Sequence, residues 1–151
     1  MKISSVFLLI KSVDRAYRQT CSSILDEFHI SQISFDIIMF LSNNPEHFTA
    51  KEISDQRNLK PNLVSQYVEK LVGRGLIERR AFEGDRRKIK LVCTSKAQPI
   101  IDRGRQMQRK FFGELTEGFT PEDLEIFKKC ISIMTENALN QGKREKDLLN
   151  D

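Results

Sequence analysis

The stretch that decides the fold of this 151-residue chain is residues 49–93, which read TAKEISDQRNLKPNLVSQYVEKLVGRGLIERRAFEGDRRKIKLVC. Thr49 and Glu52 have the spacing of a capping box, in which each side chain accepts a hydrogen bond from the other residue's backbone N–H. They predict a short helix over residues 50–56. Pro61 then predicts the first turn of a second helix, because the N–H that proline lacks has no helical partner there.

The predicted second helix, residues 61–72, has an apolar face and a polar face. Val64, Val68 and Leu71 recur at spacings of four and three, which places them on one side of a helix. The opposite side carries amide, hydroxyl and charged groups that can contact base edges and phosphates, namely Asn62, Ser65, Gln66, Glu69 and Lys70. This pattern predicts a recognition helix.

A basic hairpin follows this helix. One strand begins at Leu76, and the alternation of Ile89, Leu91 and Cys93 predicts the other strand, with the segment RRAFEGDRRK between them. Two helices at a turn followed by a basic β-hairpin are typical of a winged helix-turn-helix, in which the second helix enters a major groove and a cationic loop suits the narrower minor groove. We therefore expect a mainly α fold with a small β-hairpin wing, flanked by N- and C-terminal helices.

The winged region resembles a known family, the multiple-antibiotic-resistance regulators (MarR family). The similarity runs through NLKPNLVSQYVEKLVGRGLIERR and through GDRRKIKLVCTSKA, where the family has an Asp-x-Arg wing tip, a β-strand and then Thr-x-Lys-Gly. Asp85, Arg87, Thr94 and Lys96 match this pattern, whereas Ala97 replaces the glycine.

The recognition helix departs further from the family. Many relatives have Thr and Arg where Leu63 and Gln66 stand here, and we interpret the difference as an altered operator preference. The resemblance implies that Arg87 enters the minor groove, where a narrow groove enhances the negative potential, and that Asp85 holds the wing in shape. Together with the helix pattern it predicts these DNA contacts: Thr49, Lys60, Asn62, Ser65, Gln66, Lys70, Arg86, Arg87 and Lys88.

The same resemblance implies a homodimeric transcriptional repressor that binds double-stranded DNA at a pseudo-palindromic operator. A two-fold dimer would also double the few base contacts that one winged helix makes. Family members often release DNA when a small aromatic or phenolic ligand binds between the DNA-reading and dimer helices. This implies a pocket here, and we expect it to be lined by Phe7, Ile10, Tyr17 and Phe40.

Long helices are predicted on both sides of the winged region. Residues 3–28 carry an apolar stripe in a 4-3 alternation, and a helix that follows Ser34 is apolar nearly all round, which predicts burial. After the wing, Thr94 or Ser95 is expected to cap a third long helix over residues 96–117.

The last helix has the clearest start, because Thr120 fits the N-cap and Pro121 the first turn; it is expected to end at Gly142. We accordingly divide the chain into a dimerisation helix (residues 1–30), a winged helix-turn-helix (31–94), dimerisation helices (95–142) and a polar tail (143–151). Periodicity alone leaves open whether the apolar stripes pack within one subunit or between two.

The positive charge is concentrated in the winged region. The chain has 25 Lys and Arg against 21 Asp and Glu, a net charge of +4. Residues 49–93 hold 11 of these basic residues and 6 of the acidic ones, so their net charge is +5 and the rest of the chain contributes −1. An excess of positive charge confined to the proposed DNA-reading unit favours a polyanionic partner.

Several classes of protein do not fit the remaining composition. Cys21, Cys93 and Cys130 are dispersed and odd in number, which argues against a disulfide framework and for a reducing cytoplasm. We expect no membrane partner, because no apolar run approaches the ~20 residues of a membrane helix, and we find no targeting sequence. His29 and His47 lack metal-ligand spacing, and the motifs of phosphate loops and serine hydrolases are missing. We therefore expect no metal, no cofactor and no catalysis.

Two other functions stay open at this point. A winged-helix protein-interaction module would bind protein instead of DNA, although Arg86, Arg87 and Lys88 favour DNA. A redox-responsive regulator is the second alternative. The cysteine of peroxide-sensing relatives aligns with Val6, so such a regulator would have to use Cys21, whose place on the apolar stripe favours core packing.

Overall fold

The computed structural model describes residues 2–46, 48–57, 59–82 and 85–148, with the main chain only at residues 85–88 and 142–148. Within these residues the order of elements is α1 (Ile3–Phe28), α2 (Gln32–Asn43), α3 (Ala50–Arg57), α4 (Pro61–Gly73), β1 (Ile77–Phe82), β2 (Asp85–Cys93), a 3-10 turn (Ser95–Ala97), α5 (Gln98–Leu115) and α6 (Pro121–Leu148). The predicted mainly α fold with a β-hairpin wing is confirmed.

Both predicted helix caps form. The backbone N–H of Glu52 donates to Thr49 Oγ1 at 3.2 Å, and Glu52 Oε2 accepts from the Thr49 N–H at 2.9 Å. Thr120 and Asp123 make the same reciprocal pair at the start of α6, at 3.1 and 2.9 Å. The two hydrogen bonds from Thr120 stabilise the charged carboxylate and lower the pKa of Asp123. Each cap satisfies backbone N–H groups that have no partner inside the helix.

The start of α2 differs from the prediction. The helix begins at Gln32 instead of after Ser34, because Ser31 is the N-cap and its hydroxyl accepts from the Ser34 N–H at 3.2 Å. Ser34 is itself buried within the first turn. Two serines three residues apart are both suitable caps by residue type, and the contacts of the first turn select the earlier one.

The start of α5 also differs. Neither Thr94 nor Ser95 caps a helix at residue 96, because the Thr94 hydroxyl donates to the Gly75 carbonyl at 2.6 Å. A 3-10 turn intervenes, and α5 begins at Gln98, which puts Pro99 in its first turn, where proline is tolerated.

The end of α6 is a third correction, because this helix continues through Gly142 to Leu148 instead of ending at the glycine. A glycine inside an exposed helix costs only about 1 kcal/mol relative to alanine. The surrounding Gln, Lys, Arg and Glu residues of QGKREK are good helix formers and offset that cost.

The hairpin is longer than the alternation of apolar residues indicated. Strand β2 begins at Asp85, and it pairs antiparallel with β1 from Ile77↔Cys93 to Phe82↔Asp85, with an irregularity between Ala81 and Phe82. The outer part of β1 is exposed, so its residues need not alternate between apolar and polar, and the sequence pattern did not reveal it.

Helix α2 is the centre of the core. Phe35, Ile37 and Ile38 are completely buried, as the nearly all-apolar sequence predicted. Helices α1 and α4 and strand β2 all pack against α2, and α3 packs against α4. The predicted inner face of α4 is buried as well, since Val64 and Leu71 have no exposed surface.

The chain forms two compact units, Met1–Phe111 and Phe112–Asp151. The first contains the core around α2 and the whole described part of the winged helix-turn-helix. The second contains the end of α5 and helix α6, where the rings of Phe119 and Phe127 meet edge to face with centroids 5.8 Å apart.

Candidate nucleic-acid interface

Helix α4 presents the polar face that the sequence predicted. Lys60 is its N-cap residue and Pro61 stands in the first turn. Asn62, Ser65 and Gln66 are all exposed. The Asn62 side-chain oxygen accepts from the backbone N–H of Leu63 at 2.9 Å, so its amide hydrogens are the part that can contact a base. Gln66 can donate and accept together, as bidentate recognition of adenine requires.

The two predicted lysine contacts at α4 have different surroundings. Lys60 is exposed beside the start of α4. Lys70 is also exposed, and its Nζ lies 4.7 Å from the centre of the Tyr67 ring. A cation over an aromatic face is attracted to it by about 0.5–1 kcal/mol at an exposed site. This attraction limits the positions from which Lys70 can contact a phosphate.

Thr49 has a capping role in this structure. Its hydroxyl donates to Glu52 Oε2 at 2.7 Å and accepts from the Glu52 N–H, while its own N–H also donates to Glu52. Both donors of Thr49 are therefore engaged. A DNA contact from the Thr49 hydroxyl or N–H as donor, if it forms as predicted from the sequence, would have to replace one of these bonds.

An ion pair joins the wing to the recognition helix. Arg79 of β1 donates through both terminal nitrogens to the Glu69 carboxylate of α4, at 2.5 and 3.3 Å. Glu69 would otherwise bring an unpaired negative charge close to DNA phosphates. The pairing compensates this charge and links the two elements that are expected to contact DNA.

An aromatic stack and a hydrogen bond join the wing to the segment before α3. Phe48 and Phe82 stack with centroids 5.4 Å apart, and Lys90 Nζ lies 5.0 Å from the centre of the Phe48 ring. The Phe48 carbonyl accepts from the Leu91 N–H at 2.8 Å. The segment before α3 therefore supports β2 from the side opposite β1.

The tip of the wing lies partly outside the described residues. Glu83 and Gly84 are not described, and the side chains of Asp85, Arg86, Arg87 and Lys88 are also outside the description. Their predicted roles in the minor groove, on phosphates and in shaping the wing stay predictions. The structure does show that residues 85–88 belong to strand β2.

Two of the four residues expected in a ligand pocket line one small cavity, of about 90 Å³. Tyr17 and Phe40 are part of its wall, together with Asp36, Met39, Asn43, Asn44, Arg57 and Gln108. Phe7 and Ile10 are 58% and 57% exposed on α1 and do not belong to this wall. The difference arises because the N-terminal half of α1 extends beyond the core that buries its C-terminal half.

Two hydrogen bonds and an ion pair connect the wall of this cavity across α1, α2, α3 and α5. Gln108 Nε2 donates to the Tyr17 hydroxyl at 2.8 Å, and Gln108 Oε1 accepts from Asn43 at 3.1 Å. Arg57, the last residue of α3, forms an ion pair with Asp36 at 3.3 Å. Burial raises the pKa of Tyr17 from 10.0 to about 12, because it disfavours the charged phenolate.

The cavity wall includes polar residues that sequence reasoning missed. Asp36, Arg57 and Gln108 come from three separate elements, and Gln108 is 91 residues from Tyr17. No local spacing relates such residues. The available signal was Asp36, the one charged residue of the mostly apolar α2, because a carboxylate at such a position requires a partner.

Cys21 and Cys93 do not have the surroundings of reactive thiols. Cys21 is completely buried, and burial raises the pKa of its thiol, although a hydrogen bond from Gln32 lowers it. Burial also raises the pKa of Cys93, to about 11. Reactive cysteines are partly exposed and have lowered pKa values. These observations disfavour Cys21 as a redox sensor.

No group of three or more His, Cys, Asp or Glu side chains in residues 2–46, 48–57, 59–82 and 85–148 is arranged to hold a metal ion. Among the helices of that same part of the chain, none combines the length and apolar character needed to cross a bilayer.

Comparisons with known proteins agree with this geometry. The model of the MarR family matches residues 30–88. A MarR protein from Peptoclostridium difficile is 17% identical, with a TM-score of 0.74 and coverage of 90% of this chain and 88% of that one. A MarR transcriptional regulator from Methanosarcina mazei Go1 is 20% identical, with a TM-score of 0.74 and coverage of 91% and 98%. CouR from Rhodococcus jostii RHA1, bound to p-coumaroyl-CoA, is 16% identical, with a TM-score of 0.71 and coverage of 85% and 90%.

At these identities the solved structures establish the fold, while the family match covers the helix-turn-helix and most of the wing. The recognition helix, the paired hairpin and the capped α3 all lie in or next to the matched segment. Residues 30–88 therefore match the MarR family, and the chain has the winged-helix fold of solved MarR-family structures.

Proposed function

We propose that this protein is a repressor that binds a pseudo-palindromic DNA operator as a homodimer and releases it when a small acidic aromatic or phenolic ligand binds. The exposed polar face of α4 carries the proposal. Asn62, Ser65 and Gln66 stand exposed beside a hairpin whose strands contain basic residues, and residues 49–93 have a net charge of +5. Base-reading groups and phosphate-binding charge are thus concentrated in one region.

The DNA part of the proposal is tested by fluorescence anisotropy with random-sequence duplexes across a series of salt concentrations. Each phosphate contact contributes a slope of about −0.9 to the plot of log K against log salt. Lys70→Gln is expected to reduce the slope by about one contact, and Arg87→Ala to weaken binding further. Lys129→Gln, an exposed lysine of α6, is the matched control. Weak, salt-independent binding by the wild-type protein would refute the proposal and favour the protein-interaction module.

Exposed apolar side chains support the homodimer. In the first unit, Phe7, Leu8 and Ile10 are between 57% and 68% exposed on α1. In the second unit, Ile126 and Leu139 of α6 are 62% and 55% exposed. Large apolar side chains grouped on a helix mark an interaction surface, and a second copy of the chain satisfies both surfaces by two-fold symmetry.

The dimer is tested by sedimentation velocity. Each exposed side chain of this size contributes about 1.5–3 kcal/mol when it is buried, and replacing it with a charge adds a desolvation cost. Phe7→Glu and Leu139→Glu are therefore expected to produce monomers at micromolar concentration. Glu125→Gln, an exposed change on α6, is the control. A wild-type protein that sediments as a monomer would contradict the proposal.

The ligand part of the proposal rests on the cavity beside Tyr17. One similar structure, CouR, is bound to p-coumaroyl-CoA, which carries a phenol. The cavity here has a volume of about 90 Å³, whereas a cavity of about 150 Å³ accommodates benzene. An aromatic acid therefore has to enlarge the cavity. The Arg57–Asp36 ion pair lies in its wall, and a ligand carboxylate would compete with Asp36 for the guanidinium.

Competition for Arg57 would couple the ligand to DNA binding. Arg57 ends α3, the first helix of the helix-turn-helix, whereas Asp36 lies on α2 in the core. A ligand that draws Arg57 away from Asp36 shifts α3 and the adjoining α4, and it stabilises the state that binds DNA poorly. A ligand shifts such an equilibrium only through a difference in its affinity for the two states.

Calorimetry with 4-hydroxybenzoate as the probe tests whether Arg57 binds the ligand. Arg57→Gln is expected to weaken binding about tenfold or more, because an ionic hydrogen bond contributes about 1.5–3 kcal/mol. The matched control is Arg103→Gln, because Arg103 also forms an ion pair at 3.3 Å, with Glu27, and it does not line the cavity. An equal loss of ligand affinity in the two variants would refute the assignment of the cavity beside Tyr17 as the ligand site.

A further inference from the structure

We infer that Arg74 is the positioning residue that holds the recognition helix at the angle required for base contacts, by fastening the end of α4 to the end of α1 with the help of Lys96. The inference rests on the proposed function, since it concerns how the DNA-reading helix is held. It assigns to Arg74 no contact with DNA.

The first observation is the pair of hydrogen bonds that Arg74 makes with α1. Arg74 is the C-cap residue of α4, and its Nη1 and Nη2 donate to the carbonyls of His29 at 2.7 Å and Phe28 at 2.9 Å. These carbonyls lie at the end of α1, where helical acceptors have no partner and the helix dipole favours a cation. A planar guanidinium that binds two carbonyls fixes direction as well as distance.

The second observation is that side chains from the segment before α5 bind the main chain at Arg74 and Gly75. Lys96 Nζ donates to the Arg74 carbonyl at 2.8 Å, and Thr94 Oγ1 donates to the neighbouring Gly75 carbonyl at 2.6 Å. Gly75 has a φ of +69°, a conformation that suits glycine. The end of α4 is therefore fastened both to the end of α1 and to the segment that leads into α5.

The third observation is a cavity beside α4 that Arg74 borders. It has a volume of about 350 Å³ and is lined by His29, Ile30, Ser31, Ser34, Tyr67, Lys70, Leu71 and Arg74. This open flank of α4 is not close-packed against another element, so the bonds from Arg74 supply a restraint there that packing does not. The bonds from Arg74 to Phe28 and His29 join the two sides of that space.

The geometry of a helix sets the consequence. Arg74 follows Asn62 by 12 residues, which at about 1.5 Å per residue is about 18 Å along the axis. A tilt of about 7° around the anchored end then moves the base-reading end by roughly 2 Å. Hydrogen bonds to bases tolerate only a few tenths of an ångström, so a small tilt is sufficient to remove base recognition.

The test compares specific and nonspecific DNA binding. The probes are a duplex selected by the wild-type protein from a random-sequence pool, and the unselected pool. Arg74→Gln is expected to bind the selected duplex about tenfold or more weakly, the cost of about one lost bidentate base contact. Its affinity for the unselected pool is expected to stay within about twofold of the wild-type value. The salt slope measured with that pool is expected to change by less than about half a phosphate contact.

Further variants separate positioning from other roles. Arg74→Lys keeps one donor and is expected to recover part of the specificity, and Lys96→Met is expected to lose specificity in the same direction. Arg105→Gln is the matched control, because Arg105 also donates to a carbonyl, that of Ser42 at 3.0 Å, without contacting α4. Urea unfolding and sedimentation of each variant show whether fold and dimer are kept.

The outcomes are distinct. A salt slope on the unselected pool that falls by about one contact in Arg74→Gln would make Arg74 a phosphate ligand and overturn the inference. Equal loss in Arg74→Gln and Arg105→Gln would also overturn it, as a general effect on stability. A wild-type protein that selects no sequence would refute the proposed function itself, before any variant is compared.

Discussion

Two glycines of α5 provide a direct test of how the core is packed. Gly104 is buried and Gly113 is exposed. A Cβ at Gly104 would lie 3.0 Å from both Met39 Cε and Phe35 Cε2, and closer still to Met39 Sδ, whereas a Cβ at Gly113 would have no neighbour within 4 Å. Alanine is expected to be destabilising at Gly104 and stabilising at Gly113.

The magnitudes follow from two opposing effects. Replacing glycine with alanine in a helix stabilises it by roughly 0.5–1 kcal/mol, with the smaller value expected at Gly113, which lies in the last turn of α5. At Gly104 the added methyl group must displace Met39 and Phe35, which are 2% and 0% exposed, and such overpacking costs about 1–3 kcal/mol. We therefore expect Gly104→Ala to be about 1–3 kcal/mol less stable than Gly113→Ala.

Urea and thermal unfolding at one fixed protein concentration measure this difference, because the stability of a dimer depends on concentration. Each kcal/mol corresponds to about 2–4 °C in Tm for a chain of this size. The double variant Met39→Ala, Gly104→Ala provides room for the new methyl group and should be more stable than the sum of the single changes predicts, by about 1 kcal/mol. Equal stability of Gly104→Ala and Gly113→Ala, with additive double-variant energies, would refute the described packing of α5 on α2.

The remaining predictions concern the cap and the thiols. Thr49→Ala is expected to lower the free energy of unfolding by about 1 kcal/mol, and Thr49→Ser to restore it, since the hydroxyl caps α3; no difference between them in urea unfolding would contradict this role. Cys130 is exposed and should react at once with a thiol reagent, whereas Cys21 should react only on unfolding; rapid labelling of Cys21 would revive the redox alternative. The pKa of Cys93 is raised from 9.0 to about 11 in the folded state. The stability that the neutral Cys93 thiol contributes to the folded state is therefore complete below pH 9 and is lost as the pH rises towards 11. Urea unfolding at pH 8 to 11 should show this loss, and Cys93→Val should reduce it; an unchanged pH dependence in the variant would contradict the assignment.

Local chemistry explains which elements could be predicted. Thr49 with Glu52, and Thr120 with Pro121, are signals read within four residues, and both helices begin where these signals predict. The start of α2 was not predictable in this way, because Ser31 and Ser34 are equivalent by residue type. The choice between them depends on which backbone groups the packed first turn leaves without partners.

The candidate site likewise has a part that local sequence predicted and a part that it could not predict. The polar face of α4 was predictable, because its periodicity separates Val64 and Val68 from Ser65 and Gln66. The ion pair between Glu69 and Arg79 was not, since it depends on the position of the wing relative to the helix. Sequence patterns contain no information about a contact that forms only when two elements meet.

The sequence by itself determined the order and type of the elements, the polar face of the recognition helix and the concentration of positive charge in residues 49–93, because periodicity, caps and charge are properties of neighbouring residues. Only the tertiary structure decided that Tyr17 meets Gln108 and that Arg74 binds the end of α1. It also decided that the Thr94 hydroxyl donates to the Gly75 carbonyl instead of capping a helix. These contacts join residues 19 to 91 positions apart, and each forms because a buried or helix-terminal polar group needs a partner that the folded core brings within reach.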